Sequence, residues 1–232
     1  MKGRNAWGQS LGEYALILGL LALVAVGVLV VLGQNVSASI DSVGQAVAAQ
    51  VEEGETVAGF DSFDWHMKRG RWKRHDDMYV GKGRRARWAM IFTPLPLRDY
   101  SVSLDMRAIG PPHRTPGRIW DVPRFIFRVL DEDNYYALVP KRDGVLELAK
   151  KQRGRWIPWL AYAKTGHRPT DWHRYTVNLQ GNNIQVLVDD RPYFTYMDPN
   201  PIPEGGFGAV NDWSSGAIRN PVLKPVRLDD RE

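Results

Sequence analysis

The chain has no cysteine among its 232 residues. That excludes disulfides and thiolate metal sites, so any folded part must rest on an ordinary core. Positive charge is missing from a long stretch: no lysine or arginine occurs between Gly8 and Lys68. Several catalytic signatures are missing too. There is no Walker loop, no G-x-S-x-G elbow and no H-E-x-x-H. The five histidines, His66, His75, His113, His167 and His173, are scattered along the sequence, and none is paired four apart on a helix. No metal site and no cofactor are expected.

What is present begins with an apolar run from Tyr14 to Leu32. Its 19 residues make about 28 Å of helix, enough to cross a bilayer core. Glu13 stands at its mouth, and a short leader, residues 1–8 with Lys2 and Arg4, precedes it. The positive-inside rule puts the N-terminus in the cytoplasm and the rest of the chain outside. An ordinary signal peptide has a shorter apolar stretch followed by a small-residue cleavage site. Here the candidate cleavage residue, Gly8, comes before the run. Cutting there would leave the helix on the mature chain, with the amine of Gln9 as its new N-terminus.

Gly8-Gln9-Ser10-Leu11-Gly12-Glu13-Tyr14 fits G-x-x-x-x-E-Y, and Ala15-Leu16-Ile17-Leu18 continues it. This segment resembles the processing region of type IVb pilins of the Flp (Tad) type. The resemblance implies cleavage by a prepilin peptidase between Gly8 and Gln9. It also implies an assembly role for Glu13 and Tyr14, with Glu13 pairing with a neighbouring subunit's N-terminal ammonium. Such a pair among apolar helices stabilises both charges, whereas either alone is strongly penalised. The chain departs from the family in size, since Flp pilins are little more than the helix.

Beyond Gly33, Val36, Ile40, Val43, Val47 and Val51 form one helical stripe. A helix over residues 9–54 is expected, transmembrane over 14–32 and amphipathic after that, stopped by Gly54. Residues 55–59 are expected to form a hinge, with a separate domain over 60–232. There Tyr100, Val102, Leu104, Met106 and Ala108 alternate with Ser101, Ser103, Asp105 and Arg107, a half-buried strand pattern. Phe125–Leu130, Tyr135–Val139, Val145–Ala149 and the hairpin around Gln180-Gly181-Asn182-Asn183 continue it. Ten to twelve strands and no second strong helix predict an all-β antiparallel jelly-roll sandwich.

The order of motifs supports that reading. Phe60-Asp61-Ser62-Phe63-Asp64 is followed by Gly70-Arg71-Trp72, by Arg128 with Asp131, Asp133, Asn134, Tyr135 and Tyr136, and by Gly154-Arg155-Trp156. Trp172-His173-Arg174-Tyr175 and Gly205-Gly206-Phe207-Gly208 come later. The series resembles concanavalin A-like (laminin-G-like) sandwiches over residues 60–227. That fold hosts lectins, glycanases and scaffolding domains, so it leaves function open.

A sandwich glycanase would carry its carboxylates as E-x-D-x-x-E on one strand, and that spacing is absent. Asp131, Glu132 and Asp133 are read as turn residues. Clustered carboxylates suit calcium, but no EF-hand-like spacing supports a site. Of the nine tryptophans, Trp120, Trp159 and Trp213 are candidate platforms for a glycan ligand, while Trp156 and Trp172 are assigned to the core. Basic residues cluster at 68–74, 82–87 and 150–155. They are read as a solvated rim that can meet a glycan or anionic surface, with no nucleic-acid partner expected.

The resulting expectation is a non-enzymatic pilin. Its precursor sits in the inner membrane, and its mature form polymerises with itself or other pilins into an extracellular pilus displaying an adhesive sandwich. The alternatives are an unprocessed single-pass protein displaying a lectin-like domain, and a membrane-tethered sandwich glycoside hydrolase.

Overall fold

The computed structural model describes residues 42–51, 53–83, 88–112 and 115–226. The leader, the apolar run, Gly8, Gln9, Glu13 and Tyr14 therefore lie outside the described residues. Among the described residues, no helix is long and apolar enough to cross a membrane.

Residues 42–51 form a helix, α1. Gly44, Val47, Ala48 and Val51 are buried on one side, the i, i+3, i+4, i+7 stripe of an amphipathic helix. Val43, expected on that stripe, is 42% exposed. Glycine at 44 allows close approach, because a Cβ there would lie 3.1 Å from the Pro94 carbonyl oxygen. Gly54 ends the helix. It has φ of 91°, its N–H donates to Val51 O at 3.1 Å, and Glu55 N–H donates to Gln50 O at 2.9 Å. This is the Schellman pattern, which needs the left-handed backbone that glycine supplies. The expected hinge is partly structured: Val57–Ala58 is a strand, β1, paired with Leu223 and Val222.

The remainder is a two-sheet antiparallel sandwich. Fifteen strands occur among the described residues, more than the ten to twelve expected, because short edge strands escape a periodicity test. One sheet runs β13 (Arg191–Met197), β12 (Asn183–Val188), β11 (His173–Gln180), β6 (Tyr100–Ala108), β15 (Ser215–Pro225), β4 (Met78–Lys82), β3 (Arg71–His75), with β1 beside β15. The other runs β10 (Arg155–Lys164), β9 (Val145–Gln152), β8 (Asn134–Pro140), β7 (Pro123–Asp131), β14 (Gly206–Asn211), β5 (Ala89–Thr93), β2 (His66–Lys68). We call these the first and second sheets.

The main core lies between them. Val102, Leu104 and Met106 of β6, Val177 and Leu179 of β11, and Phe125, Phe127, Tyr136 and Leu148 of the second sheet belong to one buried cluster. Val47, Ala48 and Val51 of α1 belong to it as well. The second sheet is also covered on its outer face, where Met90, Phe92, Ile126, Tyr135, Ala137, Val139 and Val210 form a second buried cluster. Double burial explains why β5, β7 and β14 read as nearly continuous apolar runs rather than as alternation.

Arg128 is the largest fully buried side chain. A guanidinium in such a place must be satisfied by fixed acceptors. Its Nη1 donates to Ile202 O at 3.0 Å, and its Nη2 to Arg98 O at 2.9 Å and Gly181 O at 2.6 Å. One side chain thus ties three loops together. Lys150, also buried, donates to Asp198 Oδ2 at 2.8 Å, where the Tyr136 hydroxyl also donates at 2.5 Å. Burial raises the Asp198 carboxyl, but the bonds from Lys150, Tyr136 and the Asn200 N–H outweigh it and hold the group below the usual range.

Candidate functional site

A pocket of about 390 Å³ opens on the second sheet, within the size range of small-molecule sites. Its lining comes from β7, β8, β9, β10 and the neighbouring turns. Three tryptophans, Trp120, Trp156 and Trp159, share it with Arg124, Lys141, Glu147 and Asp212. Their fractional exposures are 40%, 36% and 54%, so each indole presents free surface despite its size.

Local sequence explains each placement. In β10 the pairing with β9 shifts register between Ile157 and Ala161. Pro158 lies inside that shift and has no N–H to give to a ladder. Trp159 follows with φ of 61°, a left-handed conformation uncommon outside glycine. The bulge takes the Trp159 N–H out of the ladder, and it donates instead to Glu147 Oε1 at 2.9 Å. Trp120 is carried by a loop docked on the β8–β9 turn. Arg142 N–H donates to Ile119 O at 2.9 Å, and Arg118 N–H donates to Asp121 Oδ2 at 2.8 Å.

The charges of the pocket come in pairs. Lys141 and Glu147, 3% and 5% exposed, form a buried salt bridge, and the Lys141 ammonium sits 3.3 Å from the Trp159 ring centroid. Arg124 Nη2 lies 2.9 Å from Asp212 Oδ2, and its guanidinium sits 5.0 Å from the Trp156 ring centroid. Each cation is thus bound to a carboxylate and to an indole face, which holds that face in place. Tyr135, in the buried layer of the same sheet face, has its phenol pushed up to about 12 by burial; the charge of Arg124 opposes that rise and the charge of Asp212 adds to it.

Such a pocket offers broad π faces to C–H groups, together with fixed donors and acceptors to hydroxyls. Two cations balanced by two carboxylates leave no net charge to attract an ion.

Of the tryptophans singled out by sequence, Trp120 and Trp159 meet here. Trp213 is half-buried in the β14–β15 turn and does not line the pocket, although its neighbour Asp212 does. Two assignments to the core need correction. Trp156 is a pocket wall, and Trp172 is half-buried outside the core clusters, with Arg107 and Arg219 guanidinium carbons 4.8 and 4.2 Å from its ring centroid. Among the described residues, Trp72, 6% exposed, is the buried indole, and Trp65 packs against the main core partly buried. Alternation alone cannot say which side of a strand faces the interior once one sheet is buried on both sides.

Glu132 and Asp133 form the β7–β8 turn and Asp131 is the last residue of β7, so the sequence reading of all three as turn residues holds for two, and all three carboxylates have protein partners. Asp131 accepts from the Asp133 N–H at 2.7 Å, Glu132 binds Arg69 and Asp133 binds Lys151. Acids also meet the basic clusters, as Arg74 with Asp61 and Lys150 with Asp198 show.

The chain matches no protein-family model and no curated protein. It is similar to solved structures. A carbohydrate-binding module, CBM66 from Bacillus subtilis, aligns with a TM-score of 0.58 at 17% identity, over 69% of this chain and 94% of the module. The exoplasmic/lumenal domain of VIP36, described as bound to Ca2+ and Man3GlcNAc, aligns with a TM-score of 0.55 at 11% identity, over 76% of this chain and 91% of that one. A Bacillus subtilis protein with a galectin-like fold gives 0.53 at 12% identity, covering 72% and 91%. A glycosidic hydrolase also gives 0.53, at 12% identity, covering 73% and 95%. At these identities the likeness is one of fold: a galectin-like, concanavalin A-like sandwich.

Proposed function

We propose that the sandwich is a glycan-binding domain whose ligand is a neutral sugar residue seated among Trp120, Trp156 and Trp159. The observation that carries this reading is the convergence of three exposed indoles on one pocket whose four charges are already paired. The similarity to a carbohydrate-binding module and to a mannose-bound lumenal domain supports it. Two carboxylates, Glu147 and Asp212, line the pocket, the number a glycosidase requires. Each is held by a cation, so the reading favoured here is binding without turnover.

The N-terminal sequence supplies the second part of the proposal. Gly8 at its fixed spacing from Glu13-Tyr14, followed by the uncharged run, supports processing by a prepilin peptidase and assembly into a Flp-type pilus. In this reading the precursor lies in the inner membrane with the sandwich outside, and the mature chain displays the sandwich on the filament.

The test joins the two parts. The full chain in detergent is screened against immobilised glycans, and the strongest ligand is titrated calorimetrically with product analysis. Binding without products, weakened at least about tenfold by Trp159→Ala, is expected. Equal binding by the variant would remove the pocket from the account, and released sugar would make the protein a hydrolase. Intact mass of the sheared surface fraction is expected to give a chain starting at Gln9, lost in Glu13→Ala. A full-length species confined to the membrane would leave an anchored display protein instead.

A further inference from the structure

Histidines scattered in sequence meet in the fold. His167, in the connection after β10, stacks on His173 at the start of β11, with ring centroids 4.4 Å apart and planes 10° from parallel. His173 Nδ1 lies 2.7 Å from Asp189 Oδ2 in the β12–β13 turn. One ligand-type atom from each of these three residues lies within 4.8 Å of the others. The Tyr193 hydroxyl is 3.3 Å from His167 Nε2. The other ring nitrogens, His167 Nδ1 and His173 Nε2, are shut off from solvent with no hydrogen-bond partner. A buried polar atom left unpaired costs about 1–3 kcal/mol. Two of them in one stacked pair call for an explanation that packing does not provide.

We propose that His167, His173 and Asp189 form a binding site for a divalent transition-metal ion of the zinc class. Two imidazoles and a carboxylate are donors that suit zinc and its neighbours, whereas calcium and magnesium require mostly oxygen ligands. Three protein ligands leave a fourth tetrahedral position for water or a ligand atom. Bonds of about 2.0–2.2 Å place tetrahedral ligands roughly 3.4 Å apart, so His173 Nδ1 and Asp189 Oδ2, at 2.7 Å, must part slightly, and the wider separations, up to 4.8 Å, must close. The lone pairs of an imidazole lie in its ring plane, so two nearly parallel rings cannot both point at one ion, and one must turn. His173 is fixed by Asp189 and by strand pairing with Met106. His167 lies on a connection and is held at its ring by the long contact to Tyr193, so it is the ring that turns. His173 coordinates through Nδ1, the nitrogen that already faces Asp189, and the carboxylate shares the ion. A proton on a coordinating nitrogen leaves to solvent as the metal binds. The charge of Arg191 acts on His167 and opposes a cation there, and the Asp189 carboxylate offsets it.

The experiment uses the untagged full chain in detergent, stripped with chelator. Zn2+ is titrated calorimetrically, Co2+ is followed by its visible d–d absorption, and Ca2+ and Mg2+ serve as controls. One zinc per chain is expected, with an intense tetrahedral cobalt spectrum and a thermal midpoint raised by zinc but not by calcium. His167→Gln and Asp189→Asn are each expected to weaken zinc at least about tenfold. His167→Gln changes a side chain on a connection, so it carries the test even if His173→Ala fails to fold. Absence of zinc binding, or binding unchanged in both variants, would overturn the site.

Discussion

The tetrapeptide Arg-Gly-Arg-Trp occurs twice, at 69–72 and at 153–156. Both copies begin alike: Arg69 and Gly70 have φ of 56° and 72°, and Arg153 and Gly154 have φ of 52° and 76°. Both tryptophans are the second residue of a strand. Their surroundings are opposite. Arg153-Gly154 is the two-residue turn of the β9–β10 hairpin, and Trp156 pairs with Lys151 and walls the pocket. Arg69-Gly70 carries the chain from β2 in the second sheet to β3 in the first, where Trp72 pairs with Gly81 inside the sandwich. A Cβ on Gly81 would sit 2.6 Å from the Trp72 indole, so the missing side chain is the ring's seat. Identical local sequence sets the same turn conformation, while the pairing partner decides whether an indole supports the fold or faces a ligand.

The sharpest way to test this comparison is to truncate both rings. Trp72→Ala should cost about 3–5 kcal/mol of stability, the range for a large buried aromatic. Trp156→Ala should leave stability within about 1 kcal/mol and appear instead as weaker sugar binding. Chemical denaturation of the two variants decides it, and equal losses would erase the distinction.

A smaller effect separates the two glycines. Gly154→Ala makes only ordinary contact, its nearest neighbour being Asp133 Oδ1 at 3.6 Å, so it should cost only the left-handed strain of about 1–2 kcal/mol. Gly70→Ala would place its Cβ on the Cβ of Ala89 and 2.6 Å from that residue's Cα. Overpacking then adds about 1–3 kcal/mol. Equal melting shifts would show that the corner between sheets is no tighter than the hairpin.

A pH-dependent effect compares adjacent tyrosines on opposite faces of β8. Tyr136 faces the main core and Tyr135 the outer layer, and burial raises both phenols, Tyr135 to about 12. A phenol with a raised folded value contributes its full stability below the unfolded value of 10 and loses it as pH rises toward the folded value. Each such group should therefore cost about 1.4 kcal/mol per pH unit between roughly 10 and 12. Alkaline unfolding should coincide with the part of the phenolate absorbance that Tyr135→Phe removes. If that part rises while the fold persists, the outer face is open to water.

Much of the fold was legible in the sequence, for a definite reason. Tyr100 to Met106 alternate because the apolar side of β6 fills the main core while its polar side carries Asp105, covered by Arg174 and Arg219, and the Gln180–Asn183 turn closes a hairpin whose register places Tyr175 opposite Val188. The pocket was legible only in part. The bulge that exposes Trp159 depends on the register of β10 against β9, and Pro158 was its one visible sign. The meeting of His167 and His173 was hidden because a connection, not a periodic element, brings them together. His173 and Asp189 could have been found from the hairpin, since Asp189 immediately follows the Tyr175–Val188 pair.

The helix stop at Gly54 and the two-residue strand after it have a mechanical consequence. Tension entering the compact unit at residue 43 first loads the contact of α1 with the Pro94 segment and the brief pairing of β1 with β15. The strands beneath are far longer, β6 with nine residues and β15 with eleven. Residues 43–58 can therefore peel away as a leash before any long strand is disturbed, paying out roughly 50 Å at about 3.3 Å per residue. A pulled domain would lengthen on its tether while its pocket kept its shape.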